Sequence, residues 1–163
     1  MRKILDEGET IVASLPQIWE IALGLKGFFH KNKEGILALT NKNLIFVPRF
    51  LFITPKEKER YFGDDRAKIE KISDYTESDL DEDLSENSSK SLVIPLSTIK
   101  DAKITTSRKV NFLRVTYMEK EKERNYEFGV SKTVTSYPQR QPLVFKNMDW
   151  SLWVGLIQSH LKK

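Results

Sequence analysis

Apolar positions along the chain follow two spacings, one suited to strands and one to a helix. Residues 11–23 are rich in β-formers, and Pro16 within them marks an edge or a bulge. Residues 35–39 and 43–47 are two apolar runs joined by Thr40-Asn41-Lys42, a polar turn of hairpin length. Leu37 and Leu39 share one face of the first run, and Leu44 and Phe46 share one face of the second, which predicts a half-buried hairpin. Phe50 to Ile53 extends the apolar run past Pro48 and Arg49. Further strands are predicted over 91–96 and 102–107, then a second hairpin over 112–118 and 124–130. Its turn, Glu119-Lys120-Glu121-Lys122-Glu123, alternates in sign as a solvated tip does. The last element changes period: Trp150, Trp153, Val154, Ile157 and Leu161 fall on one helical face. Asn147 suits its N-cap, Asp149 its first turn, and Lys162 and Lys163 the end where the helix dipole favours cations, so a helix is expected over 148–161.

Between the hairpins, residues 55–90 read as an insertion. Pro55 opens a helix over 56–61, Gly63-Asp64-Asp65 breaks it, and 66–72 predicts another short helical piece. Seven of the 23 acidic residues lie from Asp74 to Glu86, where there is no base. With only Tyr75, Leu80 and Leu84 to bury, 74–89 is expected to be a mobile acidic loop. The net charge of +4 therefore divides into a basic body and an acidic strap. The strap either folds back to compete with an anionic ligand or, more plainly, keeps a basic domain soluble. At 163 residues the chain suits one domain over 1–163.

Composition narrows the chemistry. The absence of cysteine removes disulfides, thiol catalysis and thiolate zinc sites. His30 and His160 lie in unrelated elements, with His160 expected to face solvent, and no nucleophile elbow, Walker loop or dinucleotide fingerprint is present. Asp79-x-Asp81-x-Asp83 opens like a calcium loop, but the sixth and twelfth positions are Leu84 and Lys90 where glycine and glutamate are needed. Gly24-Leu25-Lys26-Gly27 matches an RNA-clamping loop that requires flanking helices, and strands are expected there. No enzyme activity, metal, cofactor or nucleic-acid partner is expected. The longest apolar stretch, 11–25, contains Pro16, Gln17 and Glu20 and is shorter than the ~20 residues of a bilayer span. The N-terminus turns acidic at Asp6-Glu7 before an apolar run develops, unlike a signal peptide, and a soluble cytoplasmic protein is expected.

Three local patterns carry a family resemblance. They are Leu5-Asp6-Glu7-Gly8-Glu9, an acidic lead into the first strand; Gly35-Ile36-Leu37-Ala38-Leu39-Thr40-Asn41-Lys42-Asn43-Leu44-Ile45-Phe46; and Ile94-Pro95-Leu96-Ser97-Thr98-Ile99. With the Trp-bearing final helix, their order resembles the pleckstrin-homology-like superfold, specifically its GRAM-type members and prokaryotic relatives. The resemblance implies a mainly β fold: a partly open antiparallel barrel of about seven strands capped by the C-terminal amphipathic helix, with Trp150 and Trp153 across the barrel opening. It also implies a binding module, attached peripherally to anionic lipid headgroups through basic residues of the first loop and adjoining strands. Lys26, Lys31, Lys33, Lys42 and Arg49 are the candidates for that role. Phe28 and Phe29 beside them, and Phe50, Leu51 and Phe52, are candidates for membrane or partner contact. The alternative is a protein-interaction domain that uses the helix–sheet groove or the apolar 50–53 edge and associates with a peptide or a second copy.

Overall fold

The computed structural model describes residues 5–22, 33–107, 109–131 and 145–161. Strands β1 (Ile11–Ala22), β2 (Lys33–Thr40), β3 (Asn43–Val47), β4 (Leu92–Pro95), β5 (Ile99–Ser107), β6 (Val110–Glu119) and β7 (Lys122–Ser131) form one antiparallel path. Their order is β4-β3-β2-β1-β7-β6-β5, and a two-residue strand β8 (Phe145–Lys146) adds to β7. The helices are α1 (Pro55–Phe62), α2 (Glu77–Glu86) and α3 (Ser151–Leu161). Mainly β architecture with one C-terminal helix is thus as expected.

Connectivity makes the sheet curl. β4 and β5 lie at opposite ends of the path, yet only the turn Leu96–Thr98 separates them in sequence. The four peptide steps from Pro95 to Ile99 reach about 14 Å at most. The first and last strands must therefore approach each other at this corner, but they share no ladder and the barrel stays open. The bend that permits this is in β1. Its register shifts between Leu15 and Ile18, around Pro16 and Gln17, and Gln17 has φ 57°. Residues before the shift pair with β2 alone among the strands; Ile18 to Glu20 pair with both β2 and β7, and Ile21 and Ala22 with β7.

The β2–β3 hairpin departs from the half-buried reading. Leu37 pairs with Phe46 and Leu39 with Leu44 on the inner face, where the Phe46 and Phe128 rings lie 6.2 Å apart. Ile36, Ala38, Ile45 and Val47 occupy the outer face and are just as fully buried. The insertion covers them. α2 packs on β3, and Tyr61, Phe62, Ile72, Leu80 and Leu84 join the core.

Within the insertion, α1 starts at Thr54 with a capping box to Glu57 and Pro55 in the first turn, as its sequence predicts. The helical piece expected over 66–72 is absent; this segment is extended. It lies along the half of β1 that β7 leaves unpaired, with Ser14 N–H donating to the Glu70 carbonyl and Ile72 N–H to Ser14 Oγ. Arg66 and Ala67 bridge to Asp149, and Trp153 Nε1 donates to the Lys68 carbonyl at 3.0 Å. The insertion thereby ties β1 to the C-terminal helix. The expected mobile loop over 74–89 is instead built around α2, begun by a Thr76/Asp79 capping box.

The C-terminal helix starts later than expected. Trp150, not Asn147, is its N-cap residue, Asp149 just before it accepts the Ser151 N–H, and Asn147 Oδ1 accepts the Asn111 N–H on β6. The bond from Ser151 holds the Asp149 carboxyl below its usual range. Trp150 and Trp153 are fully buried, edge to face at 6.5 Å.

The β6–β7 turn is tighter than a five-residue tip. Glu119 pairs with Lys122, leaving Lys120 and Glu121 alone in the turn at φ 49° and 69°. Two left-handed positions in a two-residue loop favour Asn-Gly. Lys120→Asn with Glu121→Gly is expected to raise unfolding stability by about 1 kcal/mol. A urea midpoint that stays put or falls would contradict this turn geometry.

Candidate functional site

Gly8 and Glu9 of the first pattern, with Thr10 after them, fasten the turn of the second. Gly8 has φ +82°, which turns the chain so that Glu9 N–H reaches the Asp6 carbonyl. The buried Glu9 carboxylate then accepts from Asp6 N–H, Asn43 Nδ2 and the Thr40 hydroxyl. Thr40 Oγ1 in turn accepts from the N–H groups of Lys42 and Asn43, and Asn41 bonds both Thr10 and Gly8. These residues serve the fold.

Lys42 sits in this turn and pairs with Asp6 at 3.5 Å. Lys33 begins β2, seven residues before Thr40, so about 23 Å of strand separates the two ends. Lys42 is therefore not part of one cluster with Lys33 and Arg49. The other end of β2 is where the candidates gather. Glu20 pairs with Lys33 and Ile36 with Val47, so the end of β1, the start of β2 and the exit of β3 lie together. Lys26, Phe28, Phe29 and Lys31, in the connection between β1 and β2, lie outside the described residues, as does His30.

Past Val47 the chain reaches Arg49. Arg49 Nη1 donates to Asp83 Oδ1 on α2 at 2.9 Å, and Tyr75 OH donates to Asp83 Oδ2 at 2.6 Å. The Arg49 guanidinium also lies over the Tyr75 ring, 5.8 Å from its centroid. The bond to Asp83 raises the Arg49 pKa; burial, then the same carboxylate, pushes the Tyr75 phenol far up. An anionic ligand for Arg49 must compete with Asp83. Leu51 and Ile53 turn toward the core, whereas Phe50 and Phe52 are 54% and 84% exposed. This alternation splits the 50–53 run into an anchored side and a presented side.

Three other acids of α2 also bond the chain. Glu77 Oε2 accepts the Ile11 N–H, Asp81 Oδ1 the Leu5 N–H, and Asp79 the N-cap Thr76. The Asp79-x-Asp81-x-Asp83 triplet is helical, each acid aimed at a different group, so it forms no calcium loop. Among the described residues no cluster of three His or acidic side chains is placed to hold a metal. A cleft of about 320 Å³ between Gly8, Glu9, Glu77 and Asp81 is lined by carboxylates already hydrogen-bonded to the chain. At the other edge of the sheet, α3 lies against β5, and Gln158 Nε2 donates to the Ala102 carbonyl at 3.0 Å. The helix–sheet groove is bridged at that point. His160 is half-buried, with Nδ1 2.9 Å from the Leu156 carbonyl, and not fully solvent-facing.

No helix is long and apolar enough to cross a membrane among the described residues. No protein-family model matches the chain, nor does any curated protein sequence.

The docked α2 has a sequence signal that composition hides. Thr76-x-x-Asp79 has the spacing of a capping box, and Tyr75 with Leu80 has the spacing of a hydrophobic staple.

Proposed function

We propose that this chain is a non-enzymatic binding module of the pleckstrin-homology-like kind, GRAM-type, that attaches peripherally to anionic membrane surfaces in the cytoplasm. The strand order, the corner between β4 and β5 and the closing C-terminal helix support the first part. The second rests on one observation: Phe50 and Phe52 are presented to solvent at the end of the sheet that Lys33 and Arg49 share. An apolar wedge beside basic residues supplies the two signals that stable membrane attachment requires.

Sedimentation with phosphatidylcholine vesicles, with and without phosphatidylserine, tests this. Binding is expected only with the anionic lipid and should weaken as salt rises. Phe52→Ser should weaken it about tenfold, a fraction of the value of burying one phenylalanine. Asp83→Asn should strengthen it by releasing Arg49. No sedimentation with phosphatidylserine, or binding indifferent to salt and to Phe52→Ser, would reject the reading. A protein or peptide partner is the second reading, favoured by the open edge of β4, where Val93 is 42% exposed. Self-association that Phe50→Ser abolishes, without vesicle binding, would support it.

A further inference from the structure

The outer face of β5–β6–β7 carries a polar groove that the lipid-binding reading leaves unused. Cross-strand register aligns Lys103, Arg114 and Glu127 in one row, with Asp101, Thr116 and Asn125 in the next. The open groove has a volume of about 400 Å³ over these rows, and Lys100, Asp101, Lys103, Arg114, Thr116, Glu123 and Asn125 line it. That volume suits a small ligand.

Its hydrogen-bonding accounts do not balance. Glu127 Oε2 accepts the Thr105 hydroxyl, Asn125 Oδ1 accepts the Thr116 hydroxyl, and Glu123 lies 3.9 Å from Lys100. Glu127, across from Arg114 on β7, thus has one oxygen turned to Thr105, and Asn125 Oδ1 is turned to Thr116. Arg114 Nε is shielded from water and has no hydrogen-bond partner among the described residues. A guanidinium cannot shed its proton to escape that position. Lys103 stands directly across from Arg114, and like charges facing each other on paired strands repel. Two cations held together, one with an unfilled donor, form a receptor for an oxyanion: the planar fork of arginine grips two oxygens, and the lysine adds a point charge.

We propose that Arg114 and Lys103 form a binding site for an oxyanion group, carboxylate or phosphate, with Thr116 and Asn125 as polar neighbours. Asp101 and Glu123 in the lining limit the site's net positive charge, so a compact group is favoured over a polyanion.

Amide and Arg Nε–H resonances followed by NMR, during separate titrations with inorganic phosphate and with succinate at ionic strength held constant with sodium chloride, test the proposal. Saturable shifts at Arg114 Nε–H and at the amides of Lys103, Thr116 and Asn125 are expected in at least one titration. The titration that saturates identifies phosphate or carboxylate as the source. Arg114→Lys, which keeps the charge and loses the fork, should weaken binding at least tenfold, and Lys103→Gln several-fold. Should Arg114→Lys fail to fold, the Lys103→Gln titration decides. Shifts that drift without saturating in both titrations, or saturable shifts unchanged in the folded variants, would overturn the site. Vesicle binding should be the same in Arg114→Lys as in the parent, which separates this site from the membrane-facing end.

Discussion

Leu80→Ala and Leu84→Ala should each lower unfolding stability by about 2–5 kcal/mol, although both lie in the most acidic stretch of the chain. Both side chains are buried in the core, and the helix carrying them packs on β3. Against a typical total of about 5–15 kcal/mol, the double variant should be largely unfolded. Glu82→Ala, on the exposed side of the same helix, should change stability by no more than about 0.5 kcal/mol. Urea denaturation followed by tryptophan fluorescence distinguishes the three. A solvated strap would leave all of them alike, and that result would contradict the docked helix. The same packing explains why deleting 74–86 is a poor test of charge competition. It would strip the outer face of β2–β3 as well as the acids, whereas Asp83→Asn alters the partner of Arg49 and spares Leu80 and Leu84.

Gly35→Ala is the second large loss. A Cβ at Gly35 would stand 2.0 Å from the Val47 carbonyl oxygen and 2.9 Å from Pro48 Cα. Both are backbone atoms and cannot swing aside, so β2 and β3 must separate at the end where the candidate membrane residues leave the sheet. A cost on the order of 3 kcal/mol is expected, with altered amide shifts along Ile36 to Leu39. Gly155→Ala in α3 meets open space and should stabilise by up to about 1 kcal/mol, as a helix interior ordinarily does. Equal effects at the two positions would show that the close approach at Gly35 does not exist.

How far the sequence could be read depended on the range of the interactions involved. The β2–β3 hairpin was legible because its turn chemistry and apolar runs are local. Its burial was half legible: alternation at Leu37 and Leu39 suggests one buried face, but Ile36, Ala38 and Ile45 are also apolar, which is the pattern of a strand covered on both sides. The acidic stretch carries the charge of a solvated loop, but its capping box and two leucines four residues apart favour a packed helix. Among the site residues, closeness in sequence misled. Lys33 and Lys42 are nine positions apart and stand at opposite ends of a strand. Arg49 and Asp83, 34 positions apart, share a hydrogen bond.

By itself, the sequence determined the strands of the two hairpins, the helix that Pro55 opens, the β2–β3 turn and the final amphipathic helix. Each of these follows from period, glycine, proline or capping within a few residues. Only the tertiary structure decided which surface needed a cover and what would supply it. It set Asp81 against the Leu5 N–H across 76 positions and the Trp153 indole against Lys68 across 85. Such partners are chosen by the curl of the sheet and the free half of β1, and no local pattern encodes them. The net charge of +4 shows the same division: the sequence counts it, but docking determines which charges a ligand meets. Asp83 is occupied by Arg49 and Tyr75, whereas Lys103 and Arg114 are left facing a groove.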